Sequence, residues 1–488
     1  MRILSCFFLL CFLLLRGNAI PAKNQMSRLD FPPGFVFGAG TSAYQIEGAA
    51  AEDGRKPSIW DTYTHQEWKI DEGTGDITSD QYHKYKDDVK LMQKMGMDAY
   101  RMSISWSRLI PDGRGAVNPK GLEYYNNLFD ELVSHGIEPH VTLVHFDVPQ
   151  ILQDEYEGLQ SPKFIEDFTA YADICFKEFG DRVKYWMTFN EPNTAVGFTR
   201  CFSPLDHNCS FPISDRETYR AGHNVLLSHA AAVDLYRTKY QESQKGVIGV
   251  TLLGIWFEPL TSSQQDIDAV DYELAIWFGW FLDPLVYGRY PTTMRNSLGS
   301  DFPNMTEEDS KRIRGSFDFI GINHYFGMYI GNGSVFPHAS RGLKNFAGLK
   351  GFNFMVPGPS LEKMLHYVKQ KYKNPTVFIH ENGFPTFGED SLDPEAKNDT
   401  ERISFIETNL QSLLLSIRDG SKVRGFFIWS FLDCFEVFGS YKMHFGLFAV
   451  DFTDKTRTRY PRQSVHWYSN FLAKIRRKAD RESSLYTL

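Results

Sequence analysis

Short apolar runs alternate with longer amphipathic stretches along this chain, and the alternation predicts its secondary structure. Eight runs of four to seven residues are apolar nearly throughout, which is typical of buried strands. These predicted strands are Phe35–Ala39, Ala99–Ile104, Glu138–Val144, Tyr185–Phe189, Val247–Leu253, Phe317–Ile322, Thr376–Ile379 and Val423–Trp429. Stretches between them place apolar residues three and four positions apart, as one face of a helix requires. The clearest predicted helices are Leu122–His135, Pro162–Phe179, Thr218–Tyr240 and Leu361–Lys371.

This order of elements indicates an α/β fold. Apolar strands separated by helices predict a parallel sheet that helices cover. Eight such units favour a closed (β/α)8 TIM barrel with long loops at its C-terminal face. The periodicity alone also fits an open, doubly wound sheet.

Polar side chains follow five of the predicted strands. They are His145, Asn190 with Glu191, Asn323, His380 with Glu381, and Ser430 with Glu436 shortly after it. Parallel barrels carry their active sites at the C-terminal ends of the strands. We therefore expect these side chains to meet at one face of the barrel.

The composition is that of an ordinary globular protein. Of the 488 residues, 42% are hydrophobic and 23% are charged. No compositional break or Pro/Gly/Ser linker divides the chain, so residues 20–488 are interpreted as one catalytic domain. Segment 331–360 is rich in Gly and Phe without periodicity, and it predicts a long loop near the barrel mouth.

Charge argues against nucleic acid as a partner. The formal net charge is −8, whereas a nucleic-acid binder would show a basic patch. The basic run Lys474–Lys478 is short and terminal, and we interpret it as a solvated helix end.

Residues 1–19 predict a secretory signal peptide. Arg2 supplies the positive start, Ile3–Leu15 form the apolar region, and small residues at Gly17 and Ala19 predict cleavage after Ala19. No later stretch approaches 18 consecutive apolar residues, so we expect no membrane contact. The sequence leaves open whether the protein is extracellular, in the apoplast, or vacuolar.

Secretion makes a disulfide and glycans reasonable. Cys201 and Cys209 flank a turn-rich loop and are candidates for a local disulfide. Cys175 and Cys434 are interpreted as free, buried, small apolar side chains. Four sequons begin at Asn208, Asn304, Asn332 and Asn398. The chain contains neither Cys-x-x-Cys nor His-Glu-x-x-His, so we expect no metal.

Several ordered motifs resemble those of family 1 glycoside hydrolases, in particular the plant β-glucosidases. The motifs are Thr188-Phe189-Asn190-Glu191-Pro192-Asn193, Ile379-His380-Glu381-Asn382-Gly383, the stretch Phe35–Gly48, Tyr100-Arg101-Met102-Ser103-Ile104-Ser105-Trp106, and Phe445-Gly446-Leu447. The resemblance runs from about Asp30 to about Phe471. A lone Asn-Glu-Pro is a weak signal, but the full ordered set is specific and agrees with the strand count.

The resemblance implies a reaction that retains anomeric configuration. Such enzymes use two carboxyl groups about 5 to 5.5 Å apart. By resemblance, Glu191 is the acid/base and Glu381 the nucleophile. Arg101 and Tyr325 match family positions that keep the nucleophile ionised.

The resemblance also implies a glucose site that needs no cofactor. The matching positions are Gln45, His145, Asn190, Asn323 and Glu436 for the sugar hydroxyls, Trp429 under the ring, and Phe445 near the sugar. Asn190 would contact the 2-hydroxyl, where hydrogen bonds strengthen in the transition state.

Four positions depart from the commonest family pattern. Phe146 and Val437 stand where Trp is usual, Cys434 replaces Asn, and His380 replaces Thr. Losing the indole donor at Val437 removes one hydrogen bond, worth about 0.5–1.5 kcal/mol. Glucose specificity is therefore less firmly implied than the two glutamates.

Three functions are consistent with these residues. The leading one is hydrolysis of small β-glucosides, and the second is glucosyl transfer from acyl-glucose-type donors to an acceptor hydroxyl. The third is a catalytically inactive, sugar-binding scaffold, which the presence of both glutamates disfavours. The partner is a small-molecule glucoside, whereas the natural aglycone and the oligomeric state are not readable.

Overall fold

A computed structural model describes residues 26–66, 73–197, 216–299, 302–330, 353–354, 359–388 and 390–473. Several predictions lie outside these ranges. They are the signal peptide, the Cys201–Cys209 pair, the sequons at Asn208 and Asn332, most of the segment 331–360, and the basic run Lys474–Lys478. Within the described ranges, no helix is long and apolar enough to cross a membrane.

Eight parallel strands close into a barrel, which confirms the predicted fold. They are β1 (Val36–Gly40), β2 (Ala99–Ser103), β3 (Glu138–Val144), β4 (Tyr185–Asn190), β5 (Val247–Leu253), β6 (Phe319–Asn323), β7 (Val377–Asn382) and β8 (Val423–Trp429). Each strand pairs with its neighbours in the sequence, and β1 pairs with β8. Gly40 at the end of β1 is aligned with Arg101 on one side and with Trp429 on the other.

Four predicted strands end earlier than the observed ones, among them the two that carry Asn190 and Glu381. The prediction stopped before Asn190 and before His380, yet β4 includes Asn190 and β7 extends through Glu381 to Asn382. The pairing of β7 with β6 shifts register between Ile379 and Glu381. An irregularity of this kind re-aims a side chain without ending the strand.

Helices fill the connections between strands. The longer ones are α1 (Gln81–Met95), α2 (Pro119–Ser134), α3 (Lys163–Phe179), α4 (Arg216–Leu235), α5 (Gln264–Leu274), α6 (Trp280–Tyr287), α7 (Pro359–Lys371) and α8 (Thr400–Arg418), and residues 463–473 are also helical. Shorter helices are Ala43–Ile46, Ile59–Thr64, Trp106–Leu109, Gln150–Tyr156, Pro192–Ala195, Gln241–Gln244, Thr292–Leu298, Glu307–Ile313 and Pro394–Lys397. The predicted helix Thr218–Tyr240 is α4 followed by a π-helical turn, Tyr236–Tyr240.

Short strands outside the barrel pair above and around it. Trp256–Pro259, Gly327–Ile330 and Asn353–Phe354 form a three-stranded sheet. Thr386–Phe387 pairs with Met443–His444, and Phe448–Val450 pairs with Arg459–Pro461. Both pairs are formed by residues that follow β7 and β8 in the sequence.

Local sequence explains where the helices begin and what they bury. Asn118 caps α2 by accepting a hydrogen bond from the backbone N–H of Lys120, and Pro119 occupies the first helical position. The buried side of α2 includes Leu128 and Leu132, four residues apart. Such faces pack on the outside of the barrel strands.

Two buried arginines hold the loops that follow β7 and β8. Arg402 on α8 donates to the carbonyls of Phe384 and His444, at 2.8 and 2.6 Å. Arg462 forms a buried ion pair with Asp433 at 2.7 Å. Arg402 therefore pairs with buried backbone carbonyls, and Arg462 pairs with a buried carboxylate. These contacts fix the loops in place.

The remaining sequence predictions fall on described residues. Cys175 and Cys434 are free and buried, as expected. The sequon asparagines Asn304 and Asn398 are exposed. Their glycosylation stays a prediction.

Candidate active site

The C-terminal ends of the strands bring the predicted site residues together. Arg101 lies on β2, Asn190 on β4, Asn323 on β6, Glu381 on β7 and Trp429 on β8. Glu191, Tyr325, His145, Gln45, Glu436 and Phe445 come from the loops and short helices above these strands. Hydrogen bonds and ring contacts link all eleven of these residues into one group.

Glu191 lies at a sharp turn out of β4. Its φ of 42° is left-handed, and its backbone N–H donates to the Thr251 carbonyl at 2.8 Å. The helix Pro192–Ala195 begins at the next residue. A non-glycine residue in this region signals a strained backbone that is often found at functional sites. The turn directs the Glu191 carboxylate to the Asn323 amide, which donates to it at 2.7 Å.

Glu381 is surrounded by donors. Arg101 Nη1 donates to one carboxylate oxygen at 2.5 Å, and the Tyr325 hydroxyl donates to the other at 2.7 Å. The Asn323 amide is also close enough to lower the pKa of Glu381. Asn323 therefore lies between the two carboxyl groups.

The two carboxyls have unlike environments. Burial and, after it, the negative charge of Glu381 together raise the pKa of Glu191 to about 8, although Asn323 and Arg101 act in the opposite direction. Burial also raises the pKa of Glu381, but Arg101 and Tyr325 oppose that rise directly. Glu191 is thus the carboxyl that keeps its proton near neutral pH, and Glu381 is the one whose ionised form is stabilised.

Arg101 determines how Asn190 and His145 are oriented. Arg101 Nη2 and the Asn323 amide both donate to Asn190 Oδ1, at 2.6 and 3.0 Å. The Asn190 amide nitrogen therefore faces His145 Nε2, at 3.1 Å. Burial and Arg101 hold the pKa of His145 far below its ordinary value, so the ring is neutral. Since Nε2 accepts, Nδ1 carries the proton and is a donor without a partner among the described residues.

Three donors surround the carboxylate of Glu436. Trp429 Nε1 and Cys434 Sγ approach one oxygen at 3.2 and 3.3 Å, and Gln45 Nε2 donates to the other at 3.2 Å. Ser42 holds the Gln45 amide by donating to its oxygen at 2.6 Å. Burial is the main cause that raises the pKa of Glu436 to about 8, while the hydrogen bonds from Cys434 and Trp429 lower it.

The hydrogen bond between Cys434 and Glu436 was not predicted from the sequence. The sequence suggested an inert apolar side chain, whereas its thiol donates to Glu436. The signal was its position, two residues before Glu436 and in place of the usual asparagine. A thiol is a weaker donor than an amide.

Two aromatic rings line the same pocket. Trp429 is stacked on His145, with ring centroids 5.7 Å apart and planes 16° apart. Phe445 packs edge-on against Tyr325 at 5.9 Å. A Cβ at Gly383 would lie 1.9 Å from the Trp429 carbonyl, so only glycine permits this approach of the β7 loop to β8.

The site therefore combines the paired carboxyls of Glu191 and Glu381, a third carboxyl at Glu436, the Arg101 guanidinium, neutral hydrogen-bonding groups and aromatic rings. Nowhere in the described ranges do three His, Cys, Asp or Glu side chains form a group that could hold a metal ion. Paired carboxyls of unlike pKa suit general acid and nucleophilic chemistry. Aromatic faces with fixed hydrogen-bonding groups suit a polyhydroxylated ring.

Comparisons with known proteins agree with this geometry. The model of the family described as "Glycosyl hydrolase family 1" matches residues 27–476. β-Glucosidase 22 of Oryza sativa subsp. japonica is 48% identical over 485 residues, covering 93% of this chain and 90% of that protein. A cyanidin 3-O-glucoside 7-O-glucosyltransferase (acyl-glucose) of Delphinium grandiflorum is 47% identical over 481 residues, covering 96% and 94%.

Solved structures are similar over the same length. A mutant rice β-glucosidase in a covalent complex with Glc superposes with a TM-score of 0.84 at 38% identity, covering 91% of this chain and 99% of that one. A β-glucosidase from the fungus Humicola insolens in complex with glucose also has a TM-score of 0.84, at 33% identity, covering 92% and 99%.

The pKa of Glu191 should fall when Glu381 is neutralised. In Glu381→Gln the negative neighbour is removed, so ionising Glu191 costs less, although burial keeps its pKa above the ordinary value. Carbon-13 NMR of protein labelled at the glutamate carboxyls, assigned with Glu191→Gln, measures the change. Glu138→Gln at the opposite end of the barrel should leave Glu191 near 8. An unchanged Glu191 titration in Glu381→Gln would show that the two carboxyls are not coupled.

Proposed function

The chain belongs to glycosyl hydrolase family 1, and from that membership we propose that it is a retaining β-glucosidase. The substrate is a small glucoside with a terminal, non-reducing β-D-glucosyl residue. One observation carries the proposal: a raised-pKa Glu191 and an Arg101-bound Glu381 lie on either side of the Asn323 amide. β-Glucosidases named among the relatives support it.

Glu381 acts as the nucleophile in the first step. Its carboxylate attacks the anomeric carbon as the glycosidic C–O bond breaks, and Glu191 gives its proton to the leaving oxygen. Arg101 and Tyr325 hold the attacking carboxylate in place with short hydrogen bonds. The products of this step are the free aglycone and a glucosyl ester of Glu381.

Glu191 changes role in the second step. Forming the ester removes the negative charge of Glu381, and that charge is one cause of the raised Glu191 pKa. The ionised Glu191 then takes a proton from water as the water oxygen attacks the anomeric carbon and the ester bond breaks. Two inversions release β-glucose and regenerate the Glu381 carboxylate.

The remaining residues hold the sugar. Asn190 and His145 present oriented hydrogen-bonding groups to the ring hydroxyls. Arg101 fixes the orientation of the Asn190 amide, and that amide fixes the tautomer of His145. Glu436 and Gln45 bind hydroxyls at the far side, over the Trp429 face. Asn323 and Phe445 complete the pocket.

Transfer to a hydroxyl acceptor is the second candidate function. The Delphinium grandiflorum relative, nearly equal in length and 47% identical, is named as an acyl-glucose glucosyltransferase. The two functions share the first step and differ only in whether water or an alcohol attacks the ester. Val437 and Cys434 lie beside Glu436, so the departures from the usual pattern concern the sugar end of the site.

The dependence of activity on the leaving group should distinguish the roles of Glu191 and Glu381. Glu191→Gln should lower kcat/KM by about 10²–10⁴-fold for 4-nitrophenyl β-glucoside, because the departing oxygen needs a proton. The loss should be much smaller for 2,4-dinitrophenyl β-glucoside, whose leaving group departs as an anion. Glu381→Gln should abolish turnover of both substrates.

Steady-state and burst kinetics on both substrates make the comparison. The matched control is Glu138→Gln, which changes a glutamate at the other end of β3. Equal losses on both substrates in Glu191→Gln would remove Glu191 from the acid role.

Product analysis should distinguish hydrolysis from transfer. With 4-nitrophenyl β-glucoside, proton NMR should show β-glucose first, and β-methyl glucoside when methanol is added. If the second candidate is correct, an acyl glucose with a phenolic acceptor should give mainly the new glucoside and little glucose. An α-configured first product would contradict both.

A further inference from the structure

The barrel interior beneath the carboxyl groups holds several buried polar atoms without partners. Among the residues described, these atoms are Arg101 Nε, His140 Nδ1 and Nε2, Thr142 Oγ1 and His380 Nε2. All four side chains are fully buried. Buried polar atoms are nearly always hydrogen-bonded to protein or to ordered water, so a group of five at one place requires an explanation.

These atoms lie close to one another. Arg101 on β2 is aligned with His140 on β3, and Thr142 shares the inward face of β3 with His140. The rings of His140 and His380 are 5.9 Å apart, and Phe427 contacts both of them. Three strands therefore deliver unpaired donors and acceptors to one region of the interior.

Neighbouring side chains in the described ranges do not form hydrogen bonds with these five polar atoms. His380 Nδ1 contacts Thr251 Oγ1 at 2.8 Å, which leaves Nε2 facing the interior. His140 Nε2 lies 3.8 Å from Glu138, beyond hydrogen-bond length. Burial lowers the pKa of both histidines, so each neutral ring has one donor and one acceptor nitrogen, whereas Arg101 Nε only donates.

Gly40 leaves a space of about one methyl group next to the Cβ of Arg101. A Cβ built at Gly40 would meet no atom closer than 3.4 Å, and its neighbours are Trp429, the His380 carbonyl and Arg101 Cβ. A water molecule needs a small polar space with two to four partners. Water both donates and accepts, which matches the mixture of atoms found here.

We propose that the barrel interior binds ordered water that bridges Arg101 Nε to His380 and His140. The water holds the guanidinium from behind, while its Nη atoms bind Glu381 and Asn190. His380 is thereby a positioning residue for Arg101. The water site does not depend on the proposed function, and only its effect on turnover does.

A high-resolution crystal structure of the full protein tests the site directly. The expected result is a water oxygen about 2.7–3.2 Å from Arg101 Nε and from at least one of the two imidazoles. An interior without water density would overturn the proposal. This measurement needs no activity, so it separates the water site from the proposed β-glucosidase function.

Two variants of His380 test the link to Arg101. His380→Phe keeps the ring volume and removes both nitrogens, and His380→Gln keeps a donor and an acceptor. We expect His380→Phe to lose the bridging water. Its kcat on 4-nitrophenyl β-glucoside should fall about tenfold, the effect of losing one hydrogen bond, and its KM should change little. His380→Gln should retain the water and most of kcat.

His223→Phe on α4 is the matched control, because it removes a partly buried imidazole that bonds Tyr290 outside the barrel interior. It should leave kcat unchanged. Full kcat in a folded His380→Phe protein that has lost the water would contradict the positioning role. If His380→Phe does not fold, His380→Gln takes its place in the test. A His380→Gln protein that lacks the bridging water but keeps the kcat of the unmodified protein would also contradict the positioning role.

Discussion

The Arg101 guanidinium is the interaction on which the site depends. It is completely buried, and a buried cation is tolerated only when anions and acceptors surround it. One nitrogen binds Glu381 and another binds Asn190. Because arginine only donates hydrogen bonds, the oxygen of the Asn190 amide must face Arg101 and its nitrogen must face His145. The Asn190 nitrogen donates to His145 Nε2, and this fixes the His145 tautomer. A single charge thus stabilises the ionised Glu381 and orients the side chains of Asn190 and His145.

The same charge explains why two nearby glutamates behave differently. Both are buried, and burial alone would raise both pKa values. Glu381 receives direct hydrogen bonds from Arg101 and Tyr325, whereas Glu191 receives one from a neutral amide and faces a negative neighbour. Forming a covalent bond at Glu381 removes that neighbour's charge. The arrangement therefore couples the protonation of Glu191 to the state of Glu381.

Much of this was readable in the sequence, and the rest depends on three-dimensional contacts. Apolar runs located all eight strands, and the polar residues after them marked the face of the site. The roles of Arg101 and Tyr325 came only from family resemblance, because no periodicity links residues so distant in sequence. The bulge that places Glu381 within β7, the thiol contact of Cys434 and the unpaired interior atoms near His380 depend on register and packing. Local sequence does not encode those directly.

The most direct test of the account is to trap the proposed intermediate. A 2-deoxy-2-fluoro-β-glucoside with a good leaving group slows both steps, since fluorine destabilises the oxocarbenium-like transition state. Mass spectrometry of the treated protein should show the addition of one fluoroglucosyl group, located by peptide mapping on Glu381. Modification of a different residue, or inverted product with no labelled protein, would contradict the account.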